Sequence, residues 1–153
     1  MSRKNKGIPN HLSHKPVIKL ENYANIDGQY ARNETQETDA EGLSVGIAMW
    51  SDKGKPEISA KVWRHTGDKW SRQSEELPIH RVIDLASLIC ATKLFSQIDS
   101  LPIDASNEFN ITSTFDKELI DSLKTGLSEE NTHFHNLDKS LKRLSAYLKK
   151  IGY

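Results

Sequence analysis

The sequence predicts an α+β fold: an antiparallel β-meander running into a buried helix, two carboxyl-terminal helices after it, and a disordered basic arm before it. Three observations predict it. Leu43, Val45, Ile47 and Met49 alternate with Ser44, Gly46, Ala48 and Trp50, which is the period of a half-buried strand. Ile58, Ala60 and Val62 repeat that alternation against Ser59, Lys61, Trp63 and His65, after turn residues from Asp52 to Lys55. Between Val82 and Phe95, apolar residues recur at helical spacing over a surface wider than one stripe, as in a helix covered on more than one side.

In chain order, residues 1–15 read as a flexible arm, because every charge from Ser2 to Lys19 is positive and no apolar period is present. Residues 16–42 read as a short strand at 16–20 followed by a long polar, mostly acidic loop. A single α+β domain over 43–153 follows, its meander spanning 43–77 with a second turn at Gly67-Asp68 and a polar third strand at 69–77. Pro78 is placed to open the helix at 79–96. Ser113 and Asp116 have capping-box spacing before a helix at 114–125, which Gly126 ends. The last helix, 128–151, carries a near-heptad seam of Leu137, Leu141, Leu144, Leu148 and Ile151, with Lys149 and Lys150 near its end; such a seam packs as a rule on the same chain's core, and a coiled-coil partner is the sharper alternative.

The length of 153 residues fits one domain, and the balance of 21 basic against 21 acidic residues means that any anion-binding site has to be local. Cys90 is the lone cysteine, so an intrachain disulfide is excluded, and its apolar neighbours predict a small buried side chain. No apolar stretch has signal-peptide or membrane-spanning length, which predicts a cytoplasmic protein without a membrane partner.

Pairing the two strands across a four-residue loop sets Met49 opposite Ile58, Ile47 opposite Ala60 and Val45 opposite Val62 on the core face. On the other face, Gly46 then lies beside Lys61, Ser44 beside Trp63, Trp63 beside Arg72 and His65 beside Trp70, with Trp50 at the rim. Aromatic rings interleaved with cations over a strand surface form a stacking platform for unpaired bases. The competing reading is that helices or the acidic loop cover this face and make Trp63 and Trp70 core aromatics.

The succession of strand, Trp50-Ser51-Asp52-Lys53-Gly54-Lys55-Pro56, strand, Lys61-Val62-Trp63, turn, strand and amphipathic helix resembles the core of the positive-cofactor-four type of single-stranded-DNA-binding protein. The resemblance spans 43–95 and implies a homodimer paired through its helices, at Val82, Leu85 and Ile89 here. It also implies contacts to unpaired DNA from Lys53, Lys55, Lys61, Trp63 and Arg72. The acidic, polar run from Arg72 to Glu76 departs from that family's third strand. Residues 62–85 are also similar to a group of uncharacterised bacterial proteins known only as a domain of unknown function.

Catalytic chemistry has one candidate location, the strand-to-helix junction bearing His65, Glu75, Glu76 and His80, where a histidine and a carboxylate could exchange protons. Structural pairing, such as His80 with Asp84 or Arg81 with Asp84 on the helix, accounts for the same residues. His133 and His135 point to opposite sides of a helix and form no metal pair, and no cofactor or metal signature is present. The sequence therefore predicts a binding protein that holds single-stranded nucleic acid on Trp50, Lys53, Lys55, Lys61, Trp63, His65, Trp70 and Arg72. The alternative is an assembly subunit that docks a protein partner through the leucine seam or the aromatic face.

Overall fold

The computed structural model describes residues 7–24, 40–52, 54–65, 68–71, 77, 79–104 and 108–153, with the backbone alone at 132 and 133. Three strands, β1 (Lys15–Leu20), β2 (Ala40–Ile47) and β3 (Ile58–Arg64), form a consecutive antiparallel meander, and β4 (Thr112–Ser113) adds to the free edge of β1. Helices α1 (Ile79–Ile98), α2 (Lys117–Gly126) and α3 (Thr132–Lys150) complete an α+β fold.

The meander begins one strand earlier than Leu43. β1, expected as a short strand in a polar region, is interior to the sheet, and Val17, Ile18 and Leu20 are fully buried. A bulge between Pro16 and Ile18 turns both Val17 and Ile18 into apolar surroundings, which blurs the alternation that marks β2. Residues 7–14, expected to belong to a flexible arm, lie instead against the sheet, and Ile8 and His14 are buried. Residues 1–6 of that arm lie outside the described residues.

The β2–β3 register differs from the paper pairing by two residues. Ile47 pairs with Ile58, Val45 with Ala60 and Leu43 with Val62, so the core face is as expected while every partner moves one pleat. The cause is the connection: β2 ends at Ile47, Ala48 N–H bonds to Glu57 O, and Met49 and Trp50 turn outward as exposed residues. Of the third strand expected at 69–77, residues 72–76 lie outside the described residues. His65 bridges Trp70, and Ser71 N–H bonds to Arg64 O.

The helices cover the face formed by Leu43, Val45, Val62, Ile18 and Leu20, against which Leu88 and Phe95 of α1 and Leu123 of α2 are packed. Leu85 and Ile89 join this core from the flank of α1, whereas Val82 is exposed; the three residues expected at a dimer contact thus serve different surroundings. Cys90, expected to be buried, is exposed, because it lies on the side of α1 away from Leu88 and Phe95. The cap of α2 is Asp116, whose carboxylate accepts the N–H groups of Glu118 and Leu119, while Ser113 belongs to β4. No helix among the described residues is long and apolar enough to cross a membrane.

Candidate functional site

The sheet face turned away from the helices is built by β2 residues Gly42, Ser44 and Gly46 and their β3 partners Trp63, Lys61 and Ser59. This is the face expected to stack bases, and the chain's own residues 8–14 lie on it. Gly42 admits the side chain of Ile8 from that segment, and Gly46 admits the backbone of the neighbouring strand β1. A Cβ at Gly42 would lie 2.7 Å from Ile8 Cδ1, and one at Gly46 would lie 2.0 Å from Lys15 O.

His14 fastens this segment. Its Nε2 is 3.0 Å from the Ser44 hydroxyl and its Nδ1 is 2.9 Å from the Ser59 hydroxyl. Ser44 Oγ also accepts the Trp63 indole N–H at 2.7 Å. With that oxygen already accepting, the economical arrangement has Ser44 donating to Nε2 and Nδ1–H donating to Ser59. Burial, with only 5% of His14 exposed, and the nearby Lys61 charge lower its pKa to about 4, so the ring is neutral at pH 7. The Lys61 ammonium sits 4.1 Å from the Trp63 ring centroid, and Asn10 accepts a hydrogen bond from Lys19 on the neighbouring strand.

Trp63 is 1% exposed and makes edge contacts with His14 and Trp70, so it is a core aromatic of this second layer. His65 and Trp70 stand edge to face with centroids 5.0 Å apart, as the register predicted, and both are partly buried. Trp50 is 62% exposed, and its indole N–H bonds to Glu57. Lys55 is exposed in the same connection and bridges Asp52. Lys53, Arg72, Glu75 and Glu76 lie outside the described residues. The structure therefore brings Lys61, Trp63, His65 and Trp70 together and leaves Trp50 and Lys55 apart at the rim. His14, which joins Ser44 and Ser59 on this face, lies in a segment without a period, so the sequence reading left it in a flexible arm; the apolar Ile8 and Leu12 were the available signal.

On the opposite side of the molecule, α1 and residues 102–104, 109 and 111 border an open cavity of about 540 Å³ walled by Leu94, Ile103, Phe109 and Ile111, with Asp84 at its edge. Asp84, expected to meet His80, accepts the Tyr23 hydroxyl hydrogen at 2.6 Å. His80 is partly buried at the start of α1. No group of three or more metal-ligating side chains occurs among the described residues.

The third surface is α3. Near its start the Lys93 ammonium of α1 lies 4.4 Å from the Phe134 ring centroid, and the same charge acts on Asp138 one turn further on. Leu137, Leu141 and Leu144 are half-buried, and towards the carboxyl end Tyr147 (59%), Leu148 and Ile151 (70%) are exposed on the same side of the helix.

No curated protein and no solved structure matches the chain. Residues 6–153 match the family of unknown function DUF6530, and the chain belongs to that family.

Proposed function

Membership of a family without an assigned activity leaves the surface to carry the functional reading, and we propose that this protein is a protein-interaction or assembly subunit that docks through α3. The carrying observation is the apolar stripe from Leu137 to Ile151, amphipathic, at coiled-coil spacing and progressively uncovered towards its end. A helix rich in Lys and Arg that needed only to be soluble would not keep Tyr147, Leu148 and Ile151 on one exposed side. The occupation of the sheet's outer face by residues 8–14 also favours a surface elsewhere.

A photo-crosslinking residue at Tyr147, compared with one at the exposed Glu118 of α2, tests this reading in cells making the full chain. The expected result is a protein adduct from position 147, absent at 118 and lost when Leu148→Asp disrupts the stripe. Equal adducts from both positions, or none, would overturn it.

Single-stranded nucleic acid is the second reading, and it now rests on Trp50 and Lys55 at the open rim. Salt-dependent quenching of Trp50 by an oligonucleotide, retained in Leu148→Asp, would favour it over protein docking.

A further inference from the structure

We infer that the partner on α3 is a second copy of this chain, held in an antiparallel helix pair; this rests on α3 being a docking surface, as proposed above. The spacing is the first argument. Phe134, Leu137, Leu141, Leu144, Leu148 and Ile151 follow one another at alternating intervals of three and four residues, the heptad repeat of a left-handed coiled coil, sustained from the first turn of α3 to just past its end. Nineteen residues make a helix about 28 Å long, enough for three pairing layers on each side of a two-fold axis.

Charge decides the direction. Every acidic residue around this helix comes early, at Glu129, Glu130 and Asp138, and every cation comes later, at Lys139, Lys142, Arg143, Lys149 and Lys150. A parallel pair would gather two sets of five cations at one end, where like charges oppose association. An antiparallel pair sends the basic end of each helix towards the acidic end of the other, and the helix dipoles oppose as well.

The seam fits that direction without adjustment. With the axis between Lys142 and Arg143, Phe134 meets Ile151 of the partner subunit, Leu137 meets Leu148 of the partner subunit, and Leu141 meets Leu144 of the partner subunit. Each layer joins the two alternate classes of seam position, as antiparallel coiled coils require. Asp138 and Lys149 lie on one flank of the stripe, so Asp138 meets Lys149 of the partner subunit within side-chain reach. In the single chain, Asp138 is half-buried, pairs with Lys142 one turn on at 2.8 Å, and feels the Lys93 charge of α1.

Analytical ultracentrifugation of the full chain gives the first readout, with a mass of twice 17.3 kDa expected in the micromolar range. Charge reversal at Asp138, half-buried on the flank of the helix, and at the exposed Lys149 then tests direction. Asp138→Lys and Lys149→Asp should each weaken self-association several-fold, because each creates two like-charge contacts across the axis. Mixing the two variants should restore it as a heterodimer, visible by native mass spectrometry, since both contacts then pair opposite charges.

A covalent check uses a Cys90→Ala background, in which Leu137→Cys and Leu148→Cys should form a disulfide when mixed and not when alone. A monomer at 100-fold higher concentration than expected for pairing, or a dimer indifferent to both reversals, overturns the inference. Disulfides in Leu137→Cys alone would overturn the antiparallel direction. A monomer that still crosslinks a different protein from position 147 sinks self-pairing while sparing the docking reading, and loss of both sinks the two together.

Discussion

Trp63 and Ser44 are joined by a 2.7 Å hydrogen bond, indole N–H to hydroxyl, in a layer where both side chains are out of reach of water. The same hydroxyl holds His14, so one small side chain on β2 ties the amino-terminal segment to the ring it covers.

Ser44→Ala should therefore destabilise the fold by about 1–3 kcal/mol, since a buried indole N–H and an imidazole nitrogen lose their partner together. Urea unfolding followed by circular dichroism measures this as a lower midpoint at unchanged slope. A loss below roughly 0.5 kcal/mol would mean that water replaces the hydroxyl and the layer is looser than described.

The depressed pKa of His14 makes stability depend on pH in a fixed direction. The unfolded chain takes up this proton near the ordinary pKa of 6.5, while the folded chain resists until about pH 4. Stability from this group is thus complete above pH 6.5 and is lost as pH falls from there to 4, by up to about 3 kcal/mol. The difference in unfolding free energy between wild type and His14→Asn, measured at pH 7 and again at pH 5, isolates it from the carboxylates. Wild type should lose more than the variant over that interval; parallel losses would show that the imidazole is solvated.

The three tryptophans should divide by accessibility. Trp50 is open to solvent, Trp63 is enclosed, and Trp70 is partly covered by its contacts with Trp63 and His65. Acrylamide should quench wild type strongly and Trp50→Phe much less, with a blue shift of the remaining emission. Undiminished quenching in Trp50→Phe that is also kept in Trp50→Phe with Trp70→Phe would place Trp63 in solvent and return the outer face to the list of open surfaces.

Much of the fold was legible because period-2 alternation in β2 and β3 and the apolar sides of α1 and α3 are local signals. The face parity of Leu43, Val45 and Ile47 against Val62, Ala60 and Ile58 could be read off, but the register could not. It depends on how residues 48–57 turn, and the turn residues Asp52 to Lys55 suggested a tighter connection than the one formed. The interior position of β1 was hidden by its bulge, and its partner β4 is two residues long. At the outer face, His65 beside Trp70 was read correctly, whereas Trp63 pairs with Gly42 and Lys61 with Ser44, one pleat from the expected partners; the segment that covers this face carries no period, and the close approach of its Ile8 to Gly42 joins residues 34 apart in the chain.

Gly42 and Gly46 allow the covering to be tested by a cycle. At Gly42 the obstacle to a methyl group is the end of the Ile8 side chain, 2.7 Å away, with Leu20 O behind it at 3.1 Å; at Gly46 it is the backbone, Lys15 O at 2.0 Å. A flexible chain end can move and a strand carbonyl cannot, so Gly46→Ala should cost more than Gly42→Ala, with overpacking on the order of 1–3 kcal/mol or more as the scale. Ile8→Ala should cost stability alone, by emptying a buried site, yet combined with Gly42→Ala the two losses should be less than additive, because the new methyl enters the space vacated. Combined with Gly46→Ala the losses should add. Additivity in both pairs, measured by urea unfolding, would mean that Ile8 does not rest on Gly42 and that residues 7–14 leave the outer face of the sheet uncovered.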